Sequence, residues 1–141
     1  MDTKLFDDWN VQLAKTYKPG MIKDGEWFSI SQKINGTRAT YFAGHLISRT
    51  GHKFLGLDHI IEELCNINKY MGEAYAFDGE LRLKEINRLT DNEAFRIGNG
   101  IATSQRDFTL KRNLKFVIFD IIPAKWWAND SCDIKYRERL K

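Results

Sequence analysis

The sequence predicts an α+β domain built mainly of antiparallel strands with flanking helices. Three observations carry this. Apolar residues alternate with period two around residues 27–42, where Asn35-Gly36 supplies a turn signal. They return at helical spacing in two later segments, residues 57–64 and about 90–103. A final stretch at 115–122, KFVIFDII, is nearly continuous in apolar, β-branched and aromatic side chains.

Each element can be justified in chain order. Residues 3–16 read as a helix, because Leu5, Trp9 and Leu13 recur every four positions with Phe6 beside them, and Asp2 or Thr3 can cap. Pro19-Gly20 ends it. Residues 27–34 read as a strand, with Phe28, Ile30, Gln32 and Ile34 on one face and Trp27, Ser29, Ser31 and Lys33 on the other. Asn35-Gly36 then turns the chain into a return strand, Thr37 to Phe42. Leu46 to Ser48 adds a third strand. From Asp58 the pattern is helical, with Leu57, Ile60, Ile61 and Leu64 on one face. Residues 74–83 read as a strand. Residues 90–103 read as a helix that Gly98-Asn99-Gly100 breaks or ends. Residues 115–122 suit a buried strand closed by Pro123, and residues 133–141 resemble the start of a charged helix.

With 141 residues the chain is one domain, and composition is that of a globular protein, 43% hydrophobic and 29% charged. A chain of this size buries roughly 68–70% of its unfolded surface. Its apolar runs are too short to span a bilayer, and the start lacks a basic-then-apolar signal segment, so no membrane is expected. Cys65 and Cys132 form neither a disulfide framework nor a metal spacing, which fits a reducing, cytoplasmic setting. Net charge is only +3, but its distribution is uneven. No acidic residue occurs from Trp27 to Leu57, where Lys33, Arg38, Arg49 and Lys53 lie with His45 and His52. Arg106, Lys111, Arg112 and Lys115 form a second basic cluster. Either group is a solvated face or a site for an anion, phosphate or nucleic acid.

Three constellations could carry chemistry. Lys33 ends a strand beside a turn, near Arg38 and without local carboxylates. A free lysine has a pKa of about 10.4, so only on the order of one in a thousand is a neutral amine near pH 7.5. Desolvation and nearby cations lower that value, which makes Lys33 a candidate nucleophile; the plain alternative is an exposed strand lysine. In Phe77-Asp78-Gly79-Glu80-Leu81, strand alternation puts Asp78 and Glu80 on one face. Such a pair can hold Mg²⁺, bond a ribose hydroxyl, or line a solvent-facing edge bulged at Gly79. In Phe116 to Asp120, alternation sets Phe116, Ile118 and Asp120 against Val117 and Phe119; an aromatic there stacks on a base or packs in the core. His45, His52 and His59 recur every seven residues across different elements and read as surface histidines. No Walker loop, serine elbow or zinc spacing is present.

Taken together and in order, these segments resemble a known family. Lys33-Ile34-Asn35-Gly36-Thr37-Arg38 resembles motif I, K-x-D/N-G-x-R, of the covalent nucleotidyltransferases, which comprise ATP-dependent DNA ligases, RNA ligases and mRNA capping enzymes. Ser48-Arg49-Thr50-Gly51 is similar to motif Ia, Phe77 to Leu81 to motif III, and Phe116 to Asp120 to motif IIIa. The resemblance is greatest to the adenylation domain of small ATP-dependent DNA ligases, of the bacteriophage or bacterial kind. It runs from about residue 20 to the end.

The resemblance implies a ligase-type, ATP-grasp-like fold and a mechanism. Lys33 attacks the α-phosphate of ATP and forms a lysyl-AMP; AMP then passes to the 5′-phosphate at a nick in double-stranded DNA, as in DNA repair and replication. It implies an ATP site of Gln32, Lys33, Ile34, Arg38, Glu80 and Phe119. Arg38 would hold the ribose, Glu80 would contact ribose or help place Mg²⁺, and Phe119 would stack on adenine. Arg49 would engage the nick's 5′-phosphate. Asn35 stands where aspartate is commoner. Motifs IV and V and the OB-fold domain with motif VI do not follow, so the resemblance implies a partial adenylation domain over residues 1–141. Such a piece would seal nicks weakly or not at all alone, with a partner chain or a further C-terminal segment completing it. Missing strands would expose sheet edges and invite dimerisation. The alternatives are an RNA ligase of the same superfamily, a non-catalytic nucleotide- or DNA-binding remnant, and an α+β domain with chance motifs.

Overall fold

A computed structural model of the chain describes residues 3–129 and 131–139. Its centre is a four-stranded antiparallel sheet: β1 (Thr37–Phe42), β2 (His45–Ser48), β3 (Tyr75–Leu83) and β4 (Leu114–Pro123), in the order β2-β1-β3-β4. Helix α1 (Asp58–Met71) joins β2 to β3, and α2 (Asp91–Thr103) lies between β3 and β4. Two short helices, α3 (Ala124–Ala128) and α4 (Tyr136–Arg139), follow β4. The antiparallel α+β architecture expected from the pattern is therefore what the chain adopts.

Strand alternation sorts the two faces of the sheet. Ala39 and Tyr41 of β1 and Phe77, Leu81 and Leu83 of β3 point into the core, where they meet Leu57, Ile60 and Leu64 of the α1 segment and Ala94 and Ala102 of α2. Arg38 and Thr40 lie opposite Glu80 and Asp78 across the β1–β3 ladder, so these polar side chains gather on the other face. Helix α1 carries the apolar stripe read from the sequence and ends at Gly72 in the left-handed conformation (φ 71°). Helix α2 opens on a capping box in which Thr90 and Glu93 satisfy each other's backbone N–H groups.

Four expectations need correction. Residues 3–16 form no helix. Their backbone instead pairs with the segment after β2: the Leu5 amide donates to Gly51 O (2.9 Å) and the Lys53 amide to Thr3 O (2.9 Å). Phe6 and Trp9 stack on each other and pack with Phe42 and Trp127, so the four-residue spacing serves an aromatic cluster rather than a helix face. Residues 27–35 form no strand, and Asn35-Gly36 is not a hairpin turn. The hairpin turns instead at Ala43-Gly44, both at positive φ (49° and 80°), and joins β1 to β2. Asn35 donates to Asp91 Oδ2 at the start of α2 (2.9 Å), and Gly36 passes so close to β3 that a Cβ would sit 2.6 Å from Leu81 O. Thirdly, Gly98-Asn99-Gly100 does not interrupt α2; Gly98 lies against Leu83, and the Asn99 side chain accepts from Thr37 Oγ1 (2.9 Å). Lastly, β4 stands at the end of the strand order and most of its residues are half-buried, so its continuous apolar run does not mark a strand buried on both faces. Of the charged helix expected at 133–141, α4 is the described part, and residues 140–141 lie outside the described residues.

Candidate functional site

The polar face of the sheet opens into a cleft of about 790 Å³, within the range typical of small-molecule sites. Its floor is Arg38, Asp78 and Glu80 from β1 and β3, and one wall is Phe119, Asp120 and Ile122 of β4. Gln32, Lys33 and Ile34 enter from the segment before β1, and Gln12 to Ala14 from the N-terminal segment. Cys132, Ile134, Lys135, Tyr136 and Arg139 close the far side.

Charge organises the floor. The Arg38 guanidinium grips both oxygens of Asp78, Nε to Oδ1 at 2.7 Å and Nη2 to Oδ2 at 2.5 Å, and Nη2 also donates to Gln12 O at 3.2 Å. Thr40 Oγ1 adds a third contact to Asp78, at 3.3 Å. Because β3 is a central strand, its two carboxylates do not line a solvent-facing edge. Asp78 is committed to Arg38, whereas Glu80 has no such partner among the described residues. Among these its Oε2 is buried without a hydrogen bond, and burial, partly offset by Arg38 and Lys33, pushes its carboxyl up to about 7. A half-buried acid in that state waits for a donor or a cation.

The β3–β4 ladder shifts register between Asp78 and Gly79. Asp78 pairs with Asp120 and Gly79 with Ile118, which leaves Phe119 as the extra residue of a β-bulge in β4. Strict alternation would put Phe119 and Asp120 on opposite faces; the bulge lets both line the cleft. Gly79 is required there, since a Cβ would lie 2.3 Å from Val117 O and 2.8 Å from the Phe116 ring. The Arg38 guanidinium rests over the Phe119 ring, 4.7 Å from its centroid.

The structure thus brings together Gln32, Lys33, Ile34, Arg38, Glu80 and Phe119, every residue assigned to the ATP site from the sequence. Arg49 lies elsewhere, exposed in the turn after β2. Lys111 of the second basic cluster is fully buried, and its ammonium donates to Ala102 O (3.0 Å) and Leu55 O, so it is a structural cation rather than part of an anion site. His45 and His52 are exposed, His59 is half-buried, and none lines the cleft. The sequence reading missed the far wall. Asp120 is held by Arg139 through both oxygens, Nε to Oδ1 at 2.8 Å and Nη2 to Oδ2 at 2.7 Å. An acid inside an apolar strand signals a buried partner, but nothing in the sequence pattern singles out Arg139.

Among the described residues, no group of three or more His, Cys, Asp or Glu could hold a metal by itself, and no helix is long and apolar enough to cross a membrane. No protein-family model matches the chain, and no curated protein matches it. Solved structures do. Two chains named Pmar-Lig_PreS3 and Pmar-Lig_Pre. match at 20% identity with TM-scores of 0.59 and 0.58, over 76% of this chain and 24% of theirs. The ATP-dependent DNA ligase from bacteriophage T7, in complex with ATP, matches at 17% identity and TM-score 0.56, over 77% of this chain and 39% of the ligase. The chain therefore has the nucleotidyltransferase fold of ATP-dependent DNA ligases and spans about a quarter to two-fifths of the length of these structures.

Proposed function

We propose that this chain is the nucleotidyltransferase part of an ATP-dependent DNA ligase, with Lys33 as the nucleophile. The observation that carries the reading is the convergence of Lys33, Arg38, Glu80 and Phe119 on one cleft, from segments up to 86 positions apart in the sequence.

In this reading adenine stacks on Phe119, and Arg38, held flat by Asp78, meets the ribose. The neutral amine of Lys33 attacks the α-phosphorus of ATP. The new N–P bond forms as the bond to the bridging oxygen breaks; pyrophosphate leaves with that electron pair, and the amine sheds a proton. AMP then passes from Lys33 to the 5′-phosphate of a nicked duplex, where Arg49 contacts that phosphate. The site fits Mg²⁺ in one respect. Asp78 and Asp120 are each taken by an arginine, which leaves the orphaned oxygen of Glu80 as a carboxylate donor, and Mg²⁺ is commonly held by one or two carboxylates together with substrate phosphates. When bound, the ion would offset charge on the phosphoryl oxygens.

Labelling the chain with ATP carrying a radioactive α-phosphate, then adding nicked DNA or nicked RNA duplex, tests this. Label should move to the nicked DNA. Transfer to RNA in preference would favour an RNA ligase, and a chain that binds ATP but never becomes labelled would be a non-catalytic binding module.

A further inference from the structure

We propose that Arg139 is a positioning residue that, through Asp120 and with the help of Tyr136, fixes Phe119 in the wall of the cleft. This rests on the reading of Phe119 as the surface on which a nucleobase stacks.

Phe119 needs outside support because of where it sits. As the extra residue of a bulge it has no partner in the β3–β4 register. Its carbonyl instead accepts from the Tyr136 hydroxyl at 2.9 Å. Its neighbour Asp120 is held by the Arg139 fork, and the Asp120 Oδ1 also accepts from the Ile121 amide at 2.9 Å. Both side chains of this ion pair are mostly buried, so the contact is shielded from competing water. Arg139 is in turn oriented by a bond from Nη1 to Ile134 O.

The same short helix also meets the segment that precedes β1. The Arg137 guanidinium lies 5.6 Å from the Trp27 ring centroid, and Trp27 belongs to the segment that delivers Lys33. A helix of four residues has no stability of its own, so these side-chain contacts hold α4 in place. The result is a buckle: Arg139 and Tyr136 fasten the aromatic wall while Arg137 touches the strap bearing the nucleophile.

The test uses the whole chain and ATP as the probe, with equilibrium binding and hydrogen exchange of the 119–121 amides measured side by side. Arg139→Ala should weaken ATP binding on the order of ten-fold, and Arg139→Lys, which keeps the charge but loses the fork, should recover only part of that. Tyr136→Phe removes a single hydroxyl from an exposed side chain, leaves folding intact, and should weaken binding roughly two- to three-fold. In a Phe119→Ala background the same changes should shift affinity less than about two-fold, because the route through Phe119 is gone. The 119–121 amides should exchange faster in Arg139→Ala and in Tyr136→Phe. Equal losses with and without Phe119, or faster exchange with ATP affinity unchanged, would overturn the proposal. If the wild type binds no ATP, the nucleotide reading fails by itself. Exchange then decides the positioning claim: unchanged rates in both variants would sink it, and faster rates would sustain it.

Discussion

The guanidinium of Arg38 and the ring of Phe119 face each other 4.7 Å apart across the cleft, although the two residues belong to strands that do not pair. β3 separates them, and the bulge in β4 brings them together. The extra residue in β4 re-aims Phe119, while Asp78 on β3 holds Arg38 flat beneath it.

Asp78 is therefore a structural anion as well as a site residue. Asp78→Asn leaves the largely buried Arg38 guanidinium without its counter-charge. Breaking such a pair costs about 2–4 kcal/mol here, less than the full buried-pair penalty because Arg38 keeps some solvent contact. A urea midpoint at pH 7 measures it, and a loss below about 0.5 kcal/mol would contradict this role.

Glu80 makes stability depend on pH in a predictable direction. Its folded carboxyl is raised to about 7 by burial, so the folded state holds a proton that the unfolded chain releases nearer 4.5. Stability from this group is intact below about 4.5 and declines as pH climbs toward 7. Glu80→Gln resembles the protonated form. Its melting temperature should match the wild type near pH 4 and exceed it at pH 8; parallel curves across that range would refute the assignment.

Gly79 and Gly100 make a contrasting pair. Gly79→Ala puts a methyl 2.3 Å from Val117 O at the bulge and should cost at least about 2 kcal/mol. Gly100 lies in α2 with open space around it, so Gly100→Ala should stabilise by about 0.5–1 kcal/mol. Thermal unfolding of the two variants checks both signs.

Lys111 tests whether the second basic cluster matters to ligand. Lys111→Met strands the carbonyls of Leu55 and Ala102, at a cost of about 1–3 kcal/mol in denaturant unfolding. ATP binding should not change, since Lys111 lies outside the cleft.

The sequence made legible those elements whose periodicity is satisfied locally. Helix α1, strand β3 and the Thr90–Glu93 start of α2 all stand where spacing put them. Over residues 3–35 local spacing misleads because long-range contacts decide the path: the Leu5 amide donates to Gly51 O, Trp9 packs on Trp127, and the Asn35 side-chain amide donates to Asp91. Local pattern cannot tell an aromatic that packs across the molecule from one on a helix face. The meeting of Arg38, Glu80 and Phe119 from β1, β3 and β4 in one cleft was legible from motif order. The bulge was not: expected at Gly79, it takes its extra residue from β4, and so Phe119 and Asp120 share a wall that alternation denied them. Arg139 was invisible because its importance comes from a partner 19 positions away.

The central claim is that Lys33 is the nucleophile, and the most direct measurement is the intact mass of the wild type and of Lys33→Ala after incubation with ATP and Mg²⁺. The account predicts an added mass of one AMP on the wild type and none on Lys33→Ala. An adduct that persists on Lys33→Ala, or a wild type that binds ATP and stays unmodified, would contradict it.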